Sequence, residues 1–350
     1  TAPLRMTAAS FLPAAALLDR SDRRRIRLDG DKAAATLTGL VTNDVLALRD
    51  GDGQYACALT PKGKVIADVR ILGVGAATGE TGASAAPNAS ALPPGVPCAT
   101  LLVDTSAAAG TGFWEMLRKY VNPRLAKYAD VTAATAMLTL AGPAAPELLA
   151  RVLGADAASL AGARAWSHRA IALGDATVRV SVTPELGDVP AFDLTCDVAH
   201  REALHAALLA AGATMIDAAT WDRARIVAGW PVWGTDFDDT TIPQEAEMDT
   251  LGAISYEKGC YTGQEVVARL HFRGHANRFL RRVTATGTET LPRGTELLAA
   301  DEDKPVGDLR SCVTLGDGTL AGIAMIRREI APGGVVRVAS GAVLNVRELR

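Results

Sequence analysis

Cysteine is scarce and scattered in this sequence. Cys57, Cys98, Cys196, Cys260 and Cys312 make five, an odd number, with no CxxC pair and no zinc-like Cys/His spacing. That argues against a disulfide framework and a structural metal, and fits reduced thiols in a cytosol-like compartment. Long apolar runs are also missing, so nothing reaches the roughly 20 residues of a bilayer-spanning helix. Residues 1–18 are alanine-rich with a single Arg5 and lack the ordered regions of a signal peptide. The expected compartment is the cytoplasm, or an organellar matrix if a leader has been removed ahead of Thr1. Neither sign of charge dominates: 36 Lys and Arg face 39 Asp and Glu, for a net charge of −3. The chain as a whole therefore gives no electrostatic case for nucleic acid or an anionic membrane. Arg23-Arg24-Arg25 sits among Asp19, Asp22, Asp29 and Asp31 and reads as a solvated face. No GxGxxG, P-loop or Ser/His/Asp arrangement stands out.

What is present describes a globular protein. Of 350 residues, 49% are hydrophobic and 21% charged, enough for two or three domains. A helical pattern with Leu37, Leu40 and Val41 on one side precedes a hairpin, Gln54–Thr60 and Lys64–Leu72 around Pro61-Lys62-Gly63. In its second strand Val65, Ala67, Val69 and Ile71 share one face, and Ile66, Asp68, Arg70 and Leu72 the other. Residues 75–98 are rich in Gly, Ala, Ser and Pro and read as a poorly ordered surface loop before a strand at Ala99–Asp104. Further on come helices near Phe113–Val121, Pro146–Leu153 and Asp197–Ala211, a strand at Met137–Leu140, and a hairpin over Ile171–Leu173 and Thr177–Val182. These suggest an internally duplicated α+β body, with halves at 1–130 and 131–277. From residue 278 six short β-rich runs alternate with Gly, Pro and Asp turns, as in a small barrel or sandwich.

The chemistry concentrates between Arg225 and Arg282, around Lys258-Gly259-Cys260-Tyr261-Thr262-Gly263-Gln264-Glu265. Thr262 and Glu265 have capping-box spacing, and Val266, Val267 and Leu270 follow as an apolar helical face. Cys260 would then precede a helix N-terminus, with Lys258 beside it, and both favour a thiolate. Local physics alone equally describes a small buried cysteine next to an ordinary cap.

KGCYTGQE, with Val266-Val267-Ala268-Arg269 and His271-Phe272-Arg273-Gly274 after it, resembles the motif of the YgfZ family, a branch of the glycine-cleavage T-protein (aminomethyltransferase) superfamily. Gly229-Trp230-Pro231 through Ile242-Pro243-Gln244-Glu245, Gly39–Val45 and Pro61–Lys64 are similar to the same family, so the resemblance covers nearly the whole chain. It implies a duplicated, ferredoxin-like folate-binding body with a C-terminal β-barrel and a tetrahydrofolate site (or one for a one-carbon derivative) in a central hollow. It also implies a role with iron–sulfur proteins or their assembly machinery, reaching tRNA modification indirectly. Beside it, the charge and the short apolar runs lead to the expectation of no direct nucleic-acid or membrane contact, and a monomer is expected. Cys260 is the family's key residue. Asp68 aligns with the carboxylate that T-proteins set beside the folate's reactive nitrogen; an ion pair with Arg70 is the competing account. The pterin-gripping glutamate of T-proteins has Asp193 as its nearest counterpart, and one of their arginines appears as Trp221. These departures count against aminomethyl transfer more than against folate binding. An aminomethyltransferase-type enzyme and a non-catalytic folate-fold module are the rival functions.

Other residues are weighed on their chemistry. Trp230 and Trp233 can stack on a pterin or fill a core. Glu245 is a candidate for the folate's amino groups, with plain helix or surface placement the rival. Tyr261 and Gln264 flank the thiol, and Arg269 and Arg273 suit the folate's glutamate tail or salt bridges. Asp236, Asp238 and Asp239 lack the glycine and glutamate of a calcium loop and read as a solvated turn. His271 and His275 lack the HExxH glutamate, so no metal is expected.

Overall fold

The computed structural model describes residues 7–75, 97–287 and 289–350. The loop expected over 75–98 falls almost entirely outside them. The first strands are β1 (Ala16–Asp19) and β2 (Arg24–Asp29), followed by α1 (Ala33–Thr38), β3 (Gly53–Leu59) and β4 (Val65–Val74). After these come β5 (Thr100–Thr105), α2 (Ala107–Tyr120), β6 (Lys127–Asp130) and β7 (Thr135–Ala141). The middle of the chain supplies α3 (Ala145–Leu153), α4 (Ala155–Ala158), β8 (His168–Leu173), β9 (Ala176–Val182) and β10 (Ala191–Asp197). Next are α5 (Arg201–Ala210), β11 (Thr214–Met215), α6 (Ala218–Ala228) and α7 (Gln264–Arg273). The last strands are β12 (Arg278–Thr286), β13 (Glu296–Ala299), β14 (Pro305–Thr314), β15 (Thr319–Arg327), β16 (Val335–Arg337) and β17 (Val343–Arg347).

Two sheets form the body. One has five strands in the order β3-β4-β5-β2-β6, the other six in the order β11-β1-β7-β10-β9-β8. The chain's first strand lies in the second sheet, paired antiparallel with β7, so the two halves share the chain's beginning. Each sheet buries one face under helices. Ala67, Val69 and Ile71 of β4 join Phe113, Met116 and Leu117 of α2 in one core, while Leu138 and Leu140 of β7 join Leu148 and Leu149 of α3 in another. α2 forms where Ser106 accepts a hydrogen bond from the Ala109 amide at 3.2 Å, and Arg118 and Lys119 lie in its last turn, where the helix dipole favours cations. Burying its Phe113 contributes about 1.5–3 kcal/mol.

Strand alternation turns the remaining residues inward, toward the other sheet: Asp68 and Arg70 on β4, Thr139 on β7, Asp193 on β10. The expected faces of β4 hold from Ala67 onward. They change before it because a bulge between Ala58 and Leu59 pairs Leu59 with Val65 and leaves Ile66 as the extra residue. Val65 thus turns to the central cluster and Ile66 packs on the helical side. The six C-terminal strands close in the order β12-β15-β14-β13-β16-β17, as a barrel rather than a sandwich.

Candidate functional site

The inner faces of the two sheets meet across a buried ion cluster. The Arg70 guanidinium donates to Asp104 Oδ1 at 2.5 Å, to Asp193 Oδ2 at 2.7 Å and to Glu185 Oε1 at 3.2 Å. Arg20 donates to Glu185 at 2.8 Å and Arg23 to Asp104 at 2.6 Å. Burial works against the charges of Arg70, Asp104 and Glu185. For Asp104 the attraction of Arg70 and Arg23 overcomes it and brings the carboxyl down to about 2; for Glu185, Arg20 and Arg70 do the same, again to about 2. The arginine run read as a solvated face is therefore largely internal. Arg25, 4% exposed, donates to Thr135 Oγ1 and to the carbonyls of Ser21, Arg23, Thr132 and Thr135, and Arg24 pairs with Asp130.

Beside this cluster Asp68 is built differently. Its Oδ2 accepts from the Tyr55 hydroxyl at 2.7 Å, and no ion pair with Arg70 forms. Its Oδ1 is buried without a partner among the described residues. Burial raises the Asp68 carboxyl above its ordinary range, with the Tyr55 hydrogen bond opposing. The same burial pushes the Tyr55 phenol and the Cys57 thiol well up. Tyr55 stacks on Trp166 at 5.8 Å and lies 5.4 Å from Trp230. Trp166 holds a left-handed backbone, φ 67°, costly for a large side chain and sustained by its packing; the Val182 carbonyl accepts from its amide at 2.9 Å. An orphaned buried acceptor, on a carboxylate held by a tyrosine that packs against two tryptophans, is the feature that sequence alone did not assemble. Tyr55 carries no motif, and only the pairing of β3 with β4 brings it to Asp68.

The cysteine motif lies on another part of the same junction. Tyr261 is buried in the core cluster that also holds Tyr55, Cys57, Trp166 and Trp230, whereas Cys260 is exposed. Cys57, Cys98 and Cys196 are buried and Cys312 partly so. The Lys258 ammonium is buried rather than aimed at solvent. It donates to the Val41 carbonyl at 2.6 Å and to the Thr38 carbonyl, capping the C-terminal end of α1, and sits 4.5 Å over the Tyr261 ring. Burial brings Lys258 down to about 8, with the Asp44 carboxylate opposing. Thr262 is not the helix cap. That place belongs to Gly263, φ 81°, and α7 begins at Gln264, so Cys260 stands four residues ahead of the helix. A Cβ on Gly263 would come within 2.5 Å of the Thr60 carbonyl oxygen and 3.2 Å of Gly63 Cα, and one on Gly63 would meet Val266. Two glycines thus let the β3–β4 turn and the start of α7 touch, joining Pro61–Lys64 to KGCYTGQE.

The other expected site residues are distributed around these two centres. Asp193 is committed: Thr139 donates to its Oδ1 at 2.5 Å and Arg70 to its Oδ2. Trp233 is half-buried, its indole N–H donating to the Val65 carbonyl at 3.3 Å. Glu245 is buried, accepting from the Ile242 amide at 3.0 Å and from Arg278 of the barrel at 2.9 Å. The Gln264 amide donates to the Tyr261 carbonyl. Arg269 pairs with Glu265 along α7, and Arg273 is exposed near its end. Trp221 is buried under Arg20, whose guanidinium lies 5.1 Å from its ring. Asp236 departs from expectation: it is fully buried and binds Arg225 at 2.6 Å, so this acid ties α6 to the barrel through Ser311 rather than lying in a solvated turn. No group of His, Cys, Asp and Glu suited to a metal occurs among the described residues, and no helix among them is long and apolar enough to cross a membrane.

Two α+β sheets facing each other with a barrel attached define the architecture of the glycine-cleavage T-proteins. The solved structure of glycine cleavage system aminomethyltransferase T from Bartonella henselae superposes with a TM-score of 0.79, covering 98% of this chain and 88% of that one. At 18% identity that likeness is one of fold. Residues 98–256 match the family model of the GCVT N-terminal domain. Within that class the sequence is similar to proteins named tRNA-modifying protein YgfZ. The Yersinia enterocolitica protein is 31% identical over 217 residues, 61% of this chain and 62% of the relative. That of Klebsiella pneumoniae is 36% identical over 124 residues, covering 35% of this chain and 38% of the relative. That of Edwardsiella ictaluri is 33% identical over 156 residues, covering 44% and 47%. The matched segments thus span between 38% and 62% of these relatives' own length. The resemblance to the YgfZ branch of the T-protein superfamily holds, and the fold is T-protein-like.

Proposed function

We propose that this chain binds tetrahydrofolate, or a one-carbon derivative, between its two sheets. There it would serve as a thiol-bearing accessory factor for iron–sulfur proteins or their assembly machinery, supporting tRNA modification indirectly. The observation that carries the folate part is the orphaned, buried Asp68 Oδ1, an acceptor without a donor on a carboxylate held by Tyr55, whose ring packs against Trp166 and Trp230. The residues present fit a pterin at that end, and the folate would supply a one-carbon carrier. Tyr55 would hold the Asp68 carboxylate in place, Arg269 and Arg273 would grip the glutamate tail, and Asp193 would act by positioning Arg70. Trp233, Glu245 and Gln264 would shape the walls.

Cys260 would act at the surface, with Lys258 and Tyr261 fixing the loop that presents it. Its exposure suits a partner protein's reach, and the buried commitment of Asp193 disfavours plain aminomethyl transfer. The test is complementation of a bacterial strain lacking its own YgfZ-type gene, read as activity of an iron–sulfur enzyme. We expect the wild-type chain to restore that activity and Cys260→Ser to fail while remaining folded. Rescue by Cys260→Ser equal to wild type would remove the thiol from the function.

A further inference from the structure

We propose that a second site, on the outer edge of the five-stranded sheet, binds a nucleotide, free or within single-stranded RNA. A groove of about 530 Å³ runs between α2 and β6, lined by Trp114, Arg118, Pro123, Lys127 and Tyr128. That volume lies within the roughly 300–1,000 Å³ of small-ligand sites. Trp114 and Tyr128 meet edge to face, ring centroids 5.4 Å apart, and both remain half-buried, so aromatic surface faces the groove. The Arg24 guanidinium lies 4.9 Å from the Trp114 ring but is neutralised by Asp130.

The charge around the groove departs from that of the chain. The whole carries −3, yet residues 113–128 hold Arg118, Lys119, Arg124 and Lys127 against Glu115 alone. All four cations are exposed, and none takes part in an ion pair among the described residues, although 21 such pairs occur elsewhere in the structure. Unpaired cations at the rim call for an anion, and aromatic walls call for a flat ring. A nucleotide joins the two: its base against Trp114 and Tyr128, its phosphate on Arg118 and Lys127. Whole-chain charge concealed this patch, because it averages over the acids of the rest of the chain and Asp130 of β6 is taken up by Arg24.

The test uses the full chain titrated with AMP and, separately, with a short single-stranded RNA. Three variants accompany it: Arg118→Glu/Lys127→Glu, an equal reversal on the barrel, Arg328→Glu/Arg347→Glu, and Trp114→Leu with Trp114→Phe as its conservative partner. We expect saturable binding that weakens about tenfold or more on reversal at the groove, with a salt slope shallower by about 1 for each phosphate no longer held. The barrel reversal should change it less than threefold, and Trp114→Leu should weaken it more than Trp114→Phe. Binding of AMP comparable to that of RNA assigns the site to free nucleotides; binding of RNA alone assigns it to a strand. Failure of both probes to bind, or equal weakening by the groove and barrel reversals, overturns the proposal.

Discussion

Replacing Arg70 by Met should cost more stability than any surface change and should do so in a pH-dependent way. Arg70 is 2% exposed and reaches three carboxylates from three separate chain segments, Asp104, Glu185 and Asp193. Arg20 and Arg23 remain in the variant, but they already hold Glu185 and Asp104, so Asp193 keeps only the Thr139 hydroxyl and a 3.9 Å approach of Arg20. Removing one partner of a buried pair costs about 3–5 kcal/mol. Against a typical total of about 5–15 kcal/mol this should shift a urea midpoint at pH 7 markedly. Asp104 and Glu185 are depressed to about 2 in the folded protein, below their unfolded values near 4. Their stabilising contribution is therefore present above pH ~4 and lost as pH falls through ~2, so the gap between wild type and Arg70→Met should narrow over that window. Equal urea midpoints at pH 7, or a gap that widens on acidification, would refute the cluster's role.

Further outcomes follow from the same geometry. In the native chain a thiol reagent should modify Cys260 rapidly, Cys312 slowly, and Cys57, Cys98 and Cys196 only on unfolding, as mass spectrometry of the labelled peptides will report. Gly263→Ala places a methyl against the Thr60 carbonyl in a left-handed backbone and should lower stability by about 1–3 kcal/mol, measured by thermal melting, whereas Ala at exposed Gly259, where a Cβ meets nothing within 4 Å, should cost far less. His168 is buried, with Nε2 against the Gly73 carbonyl at 3.0 Å and Nδ1 against Arg179 at 2.9 Å; burial first, and Arg179 second, bring it down to about 4. The unfolded chain binds a proton there near pH 6.5 that the folded one refuses. Stability should thus fall by roughly 3 kcal/mol between pH ~6.5 and ~4, a slope that His168→Gln abolishes.

The barrel was the most legible part of the fold. Its strands are short runs rich in Val, Leu, Ile and Ala between Gly, Pro and Asp turns, so local pattern alone places them, although β15 is buried along nearly its whole length instead of alternating. Strand β2 was opaque for a physical reason. Arg23 and Arg25 look solvated beside their sequence neighbours, and what buries them is Asp104, Thr132 and Thr135, some 81 to 110 positions away. Asp236 misleads in the same way, its partner Arg225 lying on the preceding helix and Ser311 on the barrel. At the candidate site, strand alternation put Asp68 on an inward face, but its Tyr55 partner depended on pairing between β3 and β4. The capping-box spacing of Thr262 and Glu265 gave way to Gly263, because the close turn at Gly63 leaves room only for a residue without a side chain.

Calorimetric titration of the intact chain with tetrahydrofolate, beside Asp68→Asn, tests the central claim most directly. The orphaned acceptor is worth about 1.5–3 kcal/mol to a donor that reaches it, so wild type should bind one equivalent and Asp68→Asn should bind roughly ten- to a hundredfold more weakly. No detectable heat with the wild-type chain, or identical isotherms for the two proteins, would contradict a folate held at Asp68.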